Sequence, residues 1–199
     1  MPDTGAPWNI PYVAGTDLVR DWPTDSQELA EAVADGLDAA GGLVAVKHAL
    51  FTGTQTNSTA SGANFAVTDL SITHTLADAS NKLIITAYLG FAANSQQDAR
   101  VGLAVADDGT LIGIGTSVGS RTAVGAANQL STQSGFSSAS SGLTFVYEPG
   151  DTSSHTYTVR AINPVAVTRT IYINRNQDDT DAVQNARASS GFVIQEVKV

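Results

Sequence analysis

Apolar residues recur along this chain with two different periods, and the change from one to the other divides it. Leu29, Val33, Leu37 and Ala40 follow one another at steps of four, four and three, flanked by Glu28, Glu31, Asp35 and Asp38. That is one narrow apolar stripe at helical spacing. Thr24 or Asp25 can cap the first turn, with Gln27 and Glu28 three residues further on as a capping box requires. Gly41 and Gly42 end the segment, because glycine accepts the left-handed cap conformation. The pattern predicts a short helix over 24–42. A helix of about four turns is marginal alone in water, so the stripe either docks on its own domain or associates with other copies around a symmetry axis.

From Leu43 onward the period is two. Val44, Val46 and Leu50 alternate through one run; Leu70, Ile72 and Leu76 through the next. Leu83, Ile85, Ala87, Leu89 and Phe91 share one face of a third, and Val101, Leu103 and Val105 one face of a fourth. Asp107-Asp108-Gly109-Thr110 reads as a hairpin turn into Leu111–Ile114. Further runs follow at Leu143–Tyr147, His155–Ile162, Arg169–Asn174 and Phe192–Val199. Stretches 52–64 and 125–142, rich in Ser, Thr, Gly, Asn and Ala, read as loops or as weak polar strands. Because crossover helices are missing, the spacing favours an antiparallel arrangement over a parallel α/β fold. The expected fold is mainly β, an antiparallel β-sandwich or jelly-roll-like domain over 43–199.

Residues 1–23 form a third region, with Pro2, Pro7, Pro11 and Pro23 and both tryptophans. Proline fixes φ and disfavours helix at the residue before it, which predicts an extended arm. Trp8, Ile10, Tyr12, Val13, Leu18 and Trp22 are too apolar to stay solvated. They either fold back on the body or anchor in another protein.

Charge sharpens this division. Of a formal net charge of −9, most lies in residues 1–42, where eight acids face Arg20 alone. An acidic arm on a nearly neutral body repels nucleic-acid phosphate and complements a basic protein surface. There are no cysteines, so disulfides and thiolate metal sites are excluded. No secretory leader pattern and no apolar run long enough to span a membrane occurs, which leads us to expect no membrane insertion.

Candidate chemistry is sparse. Gly115-Thr116-Ser117-Val118-Gly119, followed by Asp151 and His155, matches a nucleophile-elbow pattern. No helical periodicity follows it, so a glycine-rich loop is expected and no catalytic residue is assigned. Gly113-Ile114-Gly115 lacks the spacing of a dinucleotide loop. His48, His74 and His155 are scattered, with no metal-ligand spacing. Asn176, Asp178, Asp179 and Asp181 lack the glycine and distal glutamate of an EF-hand; a surface loop organised by Asx turns and by Arg175 or Arg187 is expected there, with no metal and no cofactor.

Two stretches resemble phage proteins. WNIPYVAGTDLVRDWPTDSQELAEAV, Trp8–Val33, resembles the opening segment of phage tail-fibre and minor tail proteins. SRTAV at Ser120–Val124, HTYTVRA at His155–Ala161 and YINRNQDDTDAVQNARASS at Tyr172–Ser190 are similar to the β-sandwich domain of phage virion appendages. The resemblance implies a non-enzymatic virion structural protein, a homotrimer assembled in the host cytoplasm. Its arm would attach to other virion proteins of capsid, tail or baseplate, and its β-domain would face outward as a tail fibre, head fibre or capsid decoration. A module that binds host surface glycans through sandwich loops is the second reading, and a serine hydrolase the third.

Overall fold

The computed structural model describes residues 27–33, 42–94, 100–129, 139–182 and 186–199. The chain divides into a sandwich body, Val44–Val197, and a second unit that includes the helical residues 27–33. In that helix Gln27 donates to Glu31 at 2.8 Å, one turn on. Leu29 is half-buried and Val33 exposed. The arm residues Trp8, Ile10, Tyr12, Val13, Leu18 and Trp22, and Leu37 and Ala40 of the stripe, lie outside the described residues.

The strands are β1 (Leu43–Phe51), β2 (Gln55–Thr59), β3 (Asn64–Thr75), β4 (Lys82–Asn94), β5 (Arg100–Asp107), β6 (Thr110–Ile112), β7 (Ala126–Gln129), β8 (Ala139–Tyr147), β9 (Ser154–Ile162), β10 (Arg169–Ile173) and β11 (Ser190–Val197). They form two antiparallel sheets. The six-stranded sheet runs β1-β11-β4-β10-β2, with β8 on the other edge of β4, where Leu83 stands between Glu196 and Tyr147. The five-stranded sheet runs β3-β9-β5-β6, and β7 shares the β6 edge of β5. Without β2, β10 and β6 the orders are β1-β11-β4-β8 and β3-β9-β5-β7. This is the double-sheet arrangement of a jelly roll, confirming the antiparallel sandwich read from the alternation.

Inward residues of both sheets meet in one core that includes Leu70, Ile72, Leu83, Ile85, Leu89, Leu103, Val159, Ile171, Phe192 and Ile194. Fully burying such a side chain stabilises the fold by about 1.5–3 kcal/mol. The polar stretches 52–64 and 125–142 contain β2 and β7 and supply the first residues of β3 and β8, so the polar-strand alternative holds for parts of both.

Three details depart from simple alternation. The register of β3 shifts between Ala66 and Ser71, with Asp69 at φ 59°, so Val67 is buried together with Leu70, Ile72 and His74. A second shift between Leu89 and Ala92 puts Ala92 in the core, while Phe91 is only half-buried. In β1 it is Ala49 and Phe51 that reach the core. Val44, Val46 and Leu50, the residues whose alternation predicts the strand, therefore lie on the outer face.

Asparagine side chains clamp the strand ends. Asn128 donates to the carbonyls of Ala92 and Ala139 and accepts from the Val101 amide. Asn163 donates to Thr59, Ala60 and Val167 carbonyls. Asn174 donates to the carbonyls of Phe51 and Gly53. Each asparagine is buried; Asn128 and Asn163 offer both a donor and an acceptor to backbone, whereas Asn174 gives its donor to backbone and its acceptor to the Ser190 hydroxyl.

Candidate functional site

Polar side chains with titratable groups converge at one end of the five-stranded sheet. The β5–β6 hairpin closes with Asp107 opposite Thr110. Asp108 and Gly109 between them have φ of 44° and 90°, the left-handed pair that a two-residue type I′ turn requires. The turn presents Asp107 and Asp108 side by side. On the other edge of β5, antiparallel β9 sets Tyr157 opposite Asp107, which carries His155 to the same place.

The contacts are short. His155 Nδ1 lies 2.9 Å from Asp107 Oδ1 and 3.6 Å from Asp108 Oδ2. Its Nε2 lies 3.2 Å from Asp151 Oδ1. Tyr147 on β8 donates its hydroxyl to Asp107 Oδ2 at 2.8 Å, and the Thr156 amide donates to Asp108 Oδ1 at 3.0 Å. The imidazole stacks on Tyr157, whose ring meets Tyr147 edge-on. Asp107, Asp108, Thr110, Ile112, Tyr147 and His155 line an open depression of about 250 Å³. That is below the usual size of a pocket for a drug-sized ligand, about 300–1,000 Å³.

Burial would lower the pKa of His155, but hydrogen bonds to Asp107 and Asp151 outweigh it and hold the imidazole above its ordinary value. Asp151 is held below the usual carboxylate range, first by the Ser153 amide and then by His155. Burial and the bond to Asp107 push Tyr147 up to about 12, so it remains a donor at neutral pH. Tyr147→Phe removes one of the two side-chain partners of a buried carboxylate. It is expected to cost about 1–3 kcal/mol, a loss that urea unfolding measures.

The serine-hydrolase arrangement is not assembled. Ser117 donates its hydroxyl to the Arg121 carbonyl at 2.9 Å. Both nitrogens of His155 face carboxylates, so neither is free to take a proton from a serine. The other histidines stand apart: His48 is exposed, and His74 is buried against Glu196 at 2.9 Å. In the acidic loop Asp179 receives Arg175 at 3.2 Å and Arg187 at 2.8 Å, the arginine-organised arrangement expected from the sequence.

The Asp107–His155 pairing was missed by sequence reasoning. Its two halves, an Asp-Asp-Gly turn and a strand starting at His155, were legible, but their meeting depends on the β5–β9 register.

Fold and site together define an antiparallel jelly-roll protein with a histidine–carboxylate cluster at one end of its five-stranded sheet. No protein-family model matches this chain, and no curated protein matches it.

Proposed function

We propose that this chain is a non-enzymatic structural protein of a bacteriophage particle, a homotrimer attached through residues 1–23 to other virion proteins and displaying its jelly-roll body as a fibre head or capsid decoration. The observation that carries the reading is the outer face of the six-stranded sheet. Val46 and Leu50 of β1 are 52% and 54% exposed there, and Val146 of β8 is 59% exposed. Between them the register places Ile84 and Tyr88 of β4 and Val193 of β11 on the same face. Apolar side chains gathered on one sheet face, unlike scattered ones, mark an association surface. A second copy of this chain is the occupant that a homotrimer supplies.

Three further points support the reading. Jelly rolls serve as capsid and lectin domains. The Trp8–Val33 and Tyr172–Ser190 stretches resemble virion appendages. Ser117 is bonded to the Arg121 carbonyl, and both nitrogens of His155 face carboxylates.

Light scattering tests the assembly. The full-length protein is expected at three times its 20.5 kDa chain mass, and the double variant V46E/L50E at one chain. A full-length monomer, or a trimer indifferent to both substitutions, overturns the assignment of this face. For the attachment, deleting residues 1–23 is expected to leave the β circular-dichroism signature intact while abolishing incorporation into particles. Normal incorporation of that truncation overturns the anchor.

A further inference from the structure

We propose that Asp107, Asp108 and His155 bind one divalent transition-metal ion, zinc being the ion that best fits the donor set. The imidazole provides the starting point. With Nε2 facing Asp151 and Nδ1 facing Asp107, a neutral ring that donates to Asp151 aims its Nδ1 lone pair at a carboxylate oxygen. The opposite tautomer aims the Nε2 lone pair at Asp151 instead, so in either case one ring nitrogen facing a carboxylate calls for a second proton or a cation, and Nδ1 is the one with two carboxylates beside it.

The surrounding bonds favour the cation. Tyr147 occupies the outer oxygen of Asp107, the Thr156 amide that of Asp108, and Asp151 faces the outer nitrogen of His155. These outer bonds leave His155 Nδ1 facing Asp107 Oδ1 and Asp108 Oδ2, and the three residues can each offer one ligand atom within 4.8 Å of the others. Metal-binding histidines commonly donate their second N–H to a carboxylate in this way, which fixes tautomer and ring orientation. Tetrahedral zinc with bonds of about 2.0–2.2 Å holds its ligand atoms about 3.3–3.5 Å apart. The 2.9 Å and 3.6 Å separations from Nδ1 bracket that spacing.

Charge is consistent with the ion. The Asp107 side chain is only 8% exposed, and among the described residues the ion pairs of Asp107, Asp108 and Asp151 all go to His155. A single imidazolium balances Asp107 and leaves Asp108 and Asp151, 58% and 52% exposed, to water. A divalent ion with neutral His155 balances Asp108 as well and leaves only Asp151 to water. The imidazole nitrogen selects zinc or a neighbouring first-row metal over calcium and magnesium, which prefer oxygen alone. The open side of the depression leaves room for water at the fourth position.

The test is calorimetric titration of tag-free, EDTA-stripped full-length protein with zinc chloride, with magnesium and calcium chloride beside it. One zinc per chain is expected, bound at least tenfold more tightly than either hard ion. H155Q and D108N are each expected to weaken zinc binding by more than tenfold, and D151N by about tenfold, as loss of an outer partner does. H48Q and D178N should leave the isotherm unchanged. Asp108 is exposed, so D108N keeps the test valid if a more buried variant fails to fold. Absence of zinc binding, an unchanged isotherm in H155Q, or loss of binding in H48Q instead overturns the proposal.

Discussion

Replacing Glu196 with alanine is expected to destabilise the sandwich by about 3–5 kcal/mol, the cost of removing one partner from a buried ionic contact. Glu196 is 1% exposed, next to the last residue of β11. Its Oε1 accepts the Ala77 amide at 2.8 Å and the Asn81 side chain at 2.6 Å, and its Oε2 faces His74 Nε2 at 2.9 Å. Alanine leaves all three donors unsatisfied beneath β11, each at a cost of about 1–3 kcal/mol. In a domain of this size the melting temperature should fall by about 10 °C.

The same group sets an acid limit. Burial pushes its pKa up, but hydrogen bonds from Asn81, Ala77 and His74 outweigh this and hold it below the ordinary 4.5. A depressed carboxylate contributes stability that is complete above its unfolded pKa and lost as pH falls through the lower native value. Thermal melts from neutral pH down to about pH 3 should therefore show a loss that E196Q flattens. E196Q keeps the shape and one acceptor, so at neutral pH it should cost less than alanine. Equal melting temperatures for wild type and E196A would show that the three donors find other partners.

Asn174→Ala is the second large effect, expected at about 4 kcal/mol. Two terms add. Asn174 has φ of 59°, a left-handed conformation that costs an alanine about 1–2 kcal/mol. Its fully buried side chain also links three segments, donating to the Phe51 and Gly53 carbonyls and accepting from Ser190 at 2.6 Å. Ser190 in turn accepts the Gly90 amide. Loss of the amide orphans acceptors at the end of β1 and a hydroxyl at the start of β11. Asn174→Gly should recover the backbone part only and fall between wild type and alanine, while Asn174→Asp keeps the acceptor and loses the donor. Urea unfolding of the three variants separates the terms, and equal losses in glycine and alanine would assign the whole effect to the side chain.

Asparagine also shows where sequence reading stops. An Asn beside Gly, Ser or Asp signals a turn, because its short side chain bonds nearby backbone. Asn128 and Asn174 instead reach backbone far along the chain, such as Ala92 and Phe51, while Asn163 does both, accepting from the nearby Val165 amide and donating to the distant Thr59 carbonyl; all three are buried. Nothing local distinguishes the two uses. The histidines behave alike: the fold buries His74 against Glu196, leaves His48 exposed, and sets His155 between carboxylates.

By itself the sequence determined the local terms. These are the helical spacing that includes residues 27–33, the period-two runs that became β4, β5 and β11, the Asp-Gly turn after β5, and an antiparallel sandwich by the lack of crossover helices. Only the tertiary structure decided which strands are neighbours, where β3 and β4 change face, and that β1 turns Val44, Val46 and Leu50 outward. The tertiary structure alone also brought Asp107 to His155 across 48 residues. Alternation is a property of one strand and looks the same for either face. Pairing, register and burial depend on contacts between segments far apart in the chain, and those same contacts assemble the candidate metal site.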